Sequence, residues 1–400
     1  MNHSRELVLI TLFSKFSQGA YLVCVAWILT AHEGNSSIIG IWFLSNSLVG
    51  LGIGPLLGAF VDRYSIRTSY ALGELLIAFG VLEIILIFMF DERFATLIVV
   101  GSSLLVSVGV SASIPASFAA IKLISSTGST GSLVGNISVS IQLGLATGAG
   151  FGGVIVSYTS PSVSIALCSL FFFVSSLLVL SRKFLASASN DEDYRISSSN
   201  HNVMSGLKYL NENRRIFYLL FSIAILNGVG QVINLLLPSL IGIVLELSST
   251  VYGVADAIWS GGAVLGGWIG GYYLSESFAK FAQSISSVIA SVILILGSFL
   301  LNGAFSVIIF CFVLGFIFSI GKVLLDIEII TSVDQTYVGR VRSIGQLFIG
   351  LFGVVIYSAP SLFRDLPPPT TLLFSYATLL LCLAVLVYFV LRKHRTITQQ

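Results

Sequence analysis

The chain has 400 residues, of which 56% are hydrophobic and only 10% are charged, and its formal net charge is +2. A water-soluble protein with so little polar surface would precipitate, so the composition predicts a chain solvated by lipid. The balanced charge gives no basic tract of the kind that binds nucleic acid. The four cysteines lie inside apolar runs and the four histidines lie far apart, so we expect no metal, cofactor or disulfide framework.

Apolar runs of about 20 residues, the length that crosses a bilayer, recur along the whole chain. They predict an all-α membrane protein with spans 1 to 6 at 7–30, 38–61, 68–90, 94–120, 132–158 and 162–180. Spans 7 to 12 follow at 215–238, 250–274, 281–301, 304–330, 341–360 and 370–391. The first run is too long for a signal peptide and is expected to stay in the membrane.

A polar segment at 181–214 separates the two sets of six spans. It predicts three parts: a bundle at 1–180, a cytoplasmic linker at 181–214, and a second bundle with a tail at 215–400. Val203, Leu207 and Leu210 fall on one side of a helix, which favours an interfacial helix in the linker. A plain solvated linker is the alternative.

Lysine and arginine predict the orientation. With the N-terminus inside, the outer loops contain only Arg93 and Arg364, whereas seventeen other basic residues face the inner side. Both termini and the linker are therefore predicted to be cytoplasmic.

The two halves repeat each other at an offset of 212 residues, which pairs Gly54 with Gly266 and Gly58 with Gly270. Such an offset, about half the chain, indicates a duplicated six-helix unit. Two repeats that enclose a central cavity are typical of secondary transporters.

Several motifs in this order resemble a known family. In GAFVDRYSIRT, the residues Gly58, Asp62, Arg63 and Arg67 resemble the Gly-x-x-x-Asp-Arg-x-x-x-basic signature of the major facilitator superfamily. In span 5, GLATGAGFGG resembles the antiporter signature Gly-x-x-x-Gly-Pro-x-x-Gly-Gly, with alanine in place of proline, through Gly144, Gly148, Gly152 and Gly153. Glu74, GLKYL (206–210) and VDQTYVGRVRS (333–343) are similar to the drug:proton antiporter branch, which contains macrolide-efflux proteins and the enterobactin exporter.

The resemblance implies twelve transmembrane helices in two pseudo-symmetric six-helix bundles. It implies a multi-pass monomer of the bacterial cytoplasmic (inner) membrane that exports hydrophobic or amphipathic small molecules in exchange for protons. A dedicated siderophore exporter is the alternative, and a non-transporting receptor or scaffold is a further one. An enzyme is not expected, because the histidines lie in tails and loops far apart in sequence.

A charged latch between the halves is implied by the same motifs. Its expected members are Gly58, Asp62, Arg63, Arg67, Glu74, Arg340 and Arg342. The resemblance places the start of span 11 opposite Asp62, and an anion there is favoured by the positive end of a facing helix. The alternative is that these charges only fix topology. Glu74 is expected to contact the Arg63 and Arg67 cluster rather than substrate.

The glycines of span 5 form a smooth ridge at four-residue spacing, against which another helix can pack closely. The resemblance suggests span 8 as the partner, through Gly261, Gly262, Gly266, Gly267 and Gly270. Ordinary close packing is an equally good interpretation of the ridge.

Polar groups within spans are costly, so they are candidates for function. Candidates for the substrate cavity are Lys15, Gln18, Asn227, Gln231, Asn234 and Lys322, and candidates for proton coupling are Glu83, Asp256, Asp326 and Glu328. The amides of span 7 could instead bond to other helices, and Lys322 could neutralise Asp326 four residues on. Span 4 lacks the arginine that many drug:proton antiporters carry at its middle.

Overall fold

The computed structural model describes residues 2–33, 36–52, 65–90, 92–125, 130–182, 185, 203–272, 276–333, 338–362 and 367–397. Within these ranges the chain forms twelve long α-helices and one short one, with two 3₁₀ segments at Ile84–Phe88 and Glu92–Phe94. The long helices are α1 (Asn2–Glu33), α2 (Ser37–Gly52), α3 (Ile66–Glu83), α4 (Ala95–Ser125), α5 (Thr130–Tyr158), α6 (Pro161–Leu180), α7 (Arg214–Ser239), α8 (Ser249–Tyr272), α9 (Glu276–Leu300), α10 (Ala304–Ser332), α11 (Val338–Leu362) and α12 (Pro369–Ile397).

Each predicted span overlaps the long helix of the same number, which confirms the predicted all-α membrane fold. Eight stretches of the described helices are long and apolar enough to cross a bilayer, and α2, α9 and α11 contain shorter apolar stretches. Helices are the expected solution, because a bilayer leaves no water to pair with exposed backbone groups. The predicted linker contains a helix at Val203–Glu212, called the linker helix below, and its place at the membrane surface stays a prediction.

Two helices begin with serine caps that the sequence supplies locally. The Ser65 side chain accepts a hydrogen bond from the Thr68 amide at 3.1 Å and starts α3. Ser160 does the same for the Val163 amide at 3.4 Å, and Pro161 follows at the first position of α6, where a missing N–H costs nothing. Ser65 therefore has a structural role as a helix cap.

The first compact unit comprises residues 1–200 and 248–257. In it α1 packs along α5 and α6, and α3 packs between α4 and α6. Serine hydroxyls connect α6 to backbone carbonyls of α3: Ser169 bonds to Ala78 and Ser176 to Ala71, both at 2.9 Å. These bonds satisfy polar groups that lipid could not.

The second compact unit comprises residues 201–247 and 258–400. Here α7 contacts α10, α11 and α12, and α9 packs against α10 and α12. Pro238 lies near the end of α7, which continues as a π-helical turn over Leu240–Val244. The linker helix contacts α7 and α11 and buries Tyr209 and Leu210, whereas Leu207 is 44% exposed.

Candidate functional site

A carboxyl group lies buried at the centre of the first unit. Glu74 on α3 is only 2% exposed, and its Oε1 accepts a hydrogen bond from the Ser14 hydroxyl on α1 at 2.9 Å. The Ser175 hydroxyl on α6 also faces this carboxyl group. Its other oxygen, Oε2, is buried and accepts no hydrogen bond from the part of the chain that the structure describes.

A lysine one residue after Ser14 completes the site. The Lys15 ammonium donates to Gln18 Oε1 at 2.7 Å, and its charge interacts with that of Glu74. The attraction offsets part of the cost of removing both charges from water. The side chains of Ser14, Lys15, Gln18 and Glu74 line one small pocket of about 20 Å³, together with that of Tyr21.

The pocket volume limits what this site can hold. One water molecule needs about 10–15 Å³ by the same measure, so 20 Å³ admits a water molecule but not a drug-sized compound. Below, the Lys15–Glu74 site means Ser14, Lys15, Gln18 and Glu74. Among the described residues, one oxygen of this buried carboxyl group is held by a hydroxyl and the other has no hydrogen-bond partner, an arrangement in which the group can gain and lose a proton.

Glycines hold α1 and α5 against each other beside this site. A Cβ at Gly144 would lie 2.5 Å from the Leu12 carbonyl oxygen, and one at Gly152 would lie 2.6 Å from that of Ala20. At Gly148 it would meet the backbone of Phe16. The predicted ridge therefore exists, but its partner is α1, and the prediction of a seam with span 8 was wrong for these three glycines.

The fourth motif glycine does meet α8, within the first unit. A Cβ at Gly153 would lie 2.7 Å from the Ser249 carbonyl oxygen and 2.8 Å from the Gly253 Cα. Ser157 reinforces the contact through its hydroxyl, 2.7 Å from that of Ser249. The α8 residues in this contact, Ser249 and Gly253, were not among the predicted ones.

The predicted α8 glycines lie elsewhere. In the second unit, Gly262 and Gly266 meet the α10 backbone at Phe312 and Phe316, and nothing lies within 4 Å of a Cβ built on Gly261.

A sequence profile of the Major Facilitator Superfamily matches residues 7–358. The chain belongs to this superfamily. It is therefore a membrane transporter and not an enzyme. No curated protein sequence matches the chain.

Solved structures of superfamily transporters share the fold at low sequence identity. A mutant of the nucleoside transporter NupG is 13% identical with a TM-score of 0.78, and the match covers 98% of this chain and 99% of that one. A bacterial homologue of the iron transporter ferroportin is 15% identical with a TM-score of 0.74, covering 98% of each. A bacterial homologue of the lysosomal transporter Spinster is 12% identical with a TM-score of 0.68, covering 98% and 96%.

The superfamily latch falls largely outside the described residues. Gly58, Asp62 and Arg63 lie outside them, as do the side chains of Arg340 and Arg342 in α11.

Two members of the predicted latch are described. Arg67 is half-buried, and its Nε has no hydrogen-bond partner within the described ranges. Glu74 was expected to contact the arginine cluster; instead it bonds to Ser14 and interacts with Lys15, because it points between helices into the unit rather than along the end of α3.

The amides of α7 have three different environments. Asn227 donates to the Ile223 carbonyl of its own helix at 2.8 Å. Gln231 donates to the Ile349 carbonyl of α11 at 3.0 Å, which is the interhelical bonding given above as the alternative. Asn234 is exposed, so only this amide is openly accessible in the structure.

The remaining charged candidates lie apart from the Lys15–Glu74 site. Glu83 packs against α4 at Gly101, and Asp256 is half-buried in the part of α8 that belongs to the first unit.

The three candidates on α10 include one ion pair. Glu328 pairs with Arg215 of α7, and the Lys322 ammonium lies 5.8 Å from the centre of the Phe318 ring. Asp326 is half-buried.

Sequence reasoning missed Ser14 as part of the site and Ser175 as its neighbour. Serine is frequent in these helices, and no local signal separates a serine that bonds to a carboxylate from one that bonds to its own helix. The close α1–α5 packing was the available signal, since it fixes which residues of α1 face inward.

Proposed function

We propose that this superfamily member is a monomeric secondary active transporter of the bacterial cytoplasmic membrane. It exports hydrophobic or amphipathic small molecules in exchange for protons, by alternating access of the substrate to the two sides. The observation that carries the proposal is the Lys15–Glu74 site, a buried acid and base within the membrane-spanning part of the first unit.

Glu74 is the proposed proton carrier. Ionisable groups in membrane-spanning helices are rare and mark proton and substrate pathways. Ser14 stabilises one oxygen at 2.9 Å, and Lys15 offers a positive charge when the proton has left. The pocket of about 20 Å³ supports a proton or water role rather than substrate binding.

This proposal also accounts for the missing arginine of span 4. Many resembled antiporters use that arginine in their proton relay, and this chain has none there. Lys15 on α1 supplies a cation beside the carboxylate instead. The relay is thus proposed to run between α1 and α3.

Substrate is proposed to bind along α7 at the exposed Asn234. Pro238 has no N–H, so the carbonyl of Asn234 lacks its usual helical partner and offers an acceptor beside the side-chain amide. Neutral donors and acceptors on an apolar helix suit amphipathic compounds without requiring charge.

The siderophore alternative has less support in the structure. An acidic iron chelate would favour free lysines in the cavity, but Lys15 is bonded to Gln18, and Lys322 lies over an aromatic ring. A siderophore is therefore included below as a test compound rather than as a second proposal. A receptor or scaffold would produce no flux of any compound.

The test is proton flux in inverted membrane vesicles that contain the transporter, followed with a pH-sensitive dye. Hydrophobic cations, macrolides and catecholate or carboxylate siderophores are added in turn to the unaltered protein and to Glu74→Gln. We expect substrate-dependent proton release that falls at least tenfold in Glu74→Gln. Binding of the same substrate should persist, because the pocket is too small to hold it.

Two matched variants locate the effect. Glu83→Gln removes a carboxyl group from the same helix but outside the site, and Glu246→Gln removes an exposed one from a loop. Both should retain proton release. If Glu83→Gln abolishes it and Glu74→Gln does not, the carrier is assigned wrongly. Substrate flux without proton release in the unaltered protein would refute the antiporter itself.

A further inference from the structure

The second unit contains an apolar groove between α11 and α12, with α7 as its floor. Its volume is about 420 Å³, and its lining includes Phe217, Phe221, Phe348, Phe352, Leu380 and Leu383. We call it the α7 groove. No polar atom is exposed along its walls.

Phenylalanine side chains of α7 and α11 line the groove and contact one another. Phe348 of α11 lies 5.5 Å from Phe217 and 6.3 Å from Phe221, measured between ring centres, and Phe352 lies 5.4 Å from Phe221. These edge-on contacts separate the helices by the width of a ring, whereas the glycines of the first unit bring α1 and α5 into backbone contact.

One end of the groove is closed by a hydrogen bond. The Tyr376 hydroxyl of α12 donates to the Ile356 carbonyl of α11 at 2.6 Å. That carbonyl is available because Pro360, four residues later in α11, has no N–H to offer it. The bond joins α11 to α12 at this end.

The side of the groove is open and apolar. Its mouth carries Leu351, Val355 and Leu379, which are 53%, 59% and 47% exposed. Exposed apolar side chains without polar neighbours suit lipid and not water.

The length of the groove matches one leaflet of a bilayer. It extends along α7 from Phe217 to the level of Gly228, where Phe352, Ile356 and Leu380 come together. The eleven residue steps from Phe217 to Gly228 rise about 16 Å along the helix axis. This length is close to one leaflet of the hydrocarbon core, about 15 Å. A chain that enters at the membrane surface would therefore end near the midplane, at the closed end.

A positive charge lies at the open end of the groove. Arg214 is exposed. Phe217 and Phe221 follow it by three and seven residues, so all three lie on one face of α7. Its neighbour Arg215 is already paired with Glu328. Among the ion pairs of the described residues, Arg214 has no acidic partner.

We propose that the α7 groove binds one acyl chain of an anionic glycerophospholipid of the surrounding bilayer, with its phosphate group at Arg214. Basic residues at the membrane end of such grooves bind anionic head groups. The occupant is a resident lipid, distinct from the transported compound, and it fills the apolar space between α11 and α12 beside these phenylalanines.

Native mass spectrometry of the full-length protein tests the proposal, with dioleoyl phosphatidylglycerol and dioleoyl phosphatidylcholine as probes. We expect one phosphatidylglycerol to be retained per protein and several-fold less phosphatidylcholine. Arg214→Gln should lower phosphatidylglycerol retention about fivefold, because that is the contribution of one basic residue to the affinity for an anionic membrane surface. Arg93→Gln, which removes an exposed arginine from the first unit, should have no effect.

A pair of tryptophan variants tests the groove itself. Val355→Trp narrows the mouth and should reduce retention of both lipids, whereas Leu386→Trp alters an exposed α12 residue outside the groove and should not. Equal retention of the two lipids, with no effect of Arg214→Gln, would overturn the head-group assignment. Equal behaviour of the tryptophan variants would overturn the groove assignment. Displacement of the lipid by a transported compound would make the groove a substrate site.

Discussion

Replacing Gly148 by alanine should destabilise the first unit, because the new Cβ would collide with α1. The nearest atoms are the carbonyl oxygen, carbonyl carbon and Cα of Phe16, all backbone atoms that cannot rotate away. Overpacking costs about 1–3 kcal/mol, and we expect about 3 kcal/mol here because two whole helices must separate. Alanine has a better helix propensity than glycine, which stabilises the variant by about 1 kcal/mol. The net loss is about 2 kcal/mol.

Thermal unfolding of the purified protein in detergent measures this loss. For a unit of this size, about 2 kcal/mol corresponds to a fall in Tm of about 4–8 °C. Gly150→Ala is the matched control on the same helix, since its Cβ would lie 3.9 Å from that of Ala257, an ordinary contact. Its Tm should stay the same or rise slightly. If both variants unfold at the same temperature, α1 and α5 do not meet at Gly148, and the reasoning fails.

Two further predictions concern contacts of the second unit. Tyr376→Phe leaves the Ile356 carbonyl without the tyrosine hydroxyl and should lower the free energy of unfolding, measured by thermal unfolding, by about 1–2 kcal/mol. The loss should be smaller when Pro360→Ala is also present, because the backbone N–H of the alanine can bond to that carbonyl. An equal loss in both backgrounds would contradict this account. Glu328→Gln should lower the free energy of unfolding by about 1 kcal/mol, since the pair with Arg215 is partly exposed. Exchanging the two residues in one double variant should restore the Tm of the unaltered protein. A Tm that is not restored would show that the pair contributes nothing.

The fold was predictable because one physical quantity determines it. Bilayer thickness sets the length of each apolar run, so counting runs recovers twelve helices without any knowledge of their contacts. Charge in the connections predicts which side each loop occupies, and that orientation stays a prediction. Boundaries were less accurate where loops are short; α9 begins at Glu276 rather than at 281.

The candidate site was predictable only in part. Lys15 and Gln18 were selected because polar groups in spans are costly, and Glu74 was selected as a latch residue from the family resemblance. The interaction of Lys15 with Glu74 was not foreseen. Helices that are apolar on every side carry no clear signal for which face turns inward. The rotation of α1, and with it the bond between Ser14 and Glu74 across 60 residues, depends on the glycines of α5.

The two units solve the same packing problem in opposite ways. In the first, α1 meets α5 through glycines, and polar side chains such as Ser14 and Glu74 fill the small space that is left. In the second, α7 meets α11 through Phe221 and Phe348, and a larger apolar space is left. A duplicated membrane fold permits this difference, because each helix satisfies its own backbone and leaves the seams free to vary. Close seams then suit protons and water, and open apolar seams suit lipid.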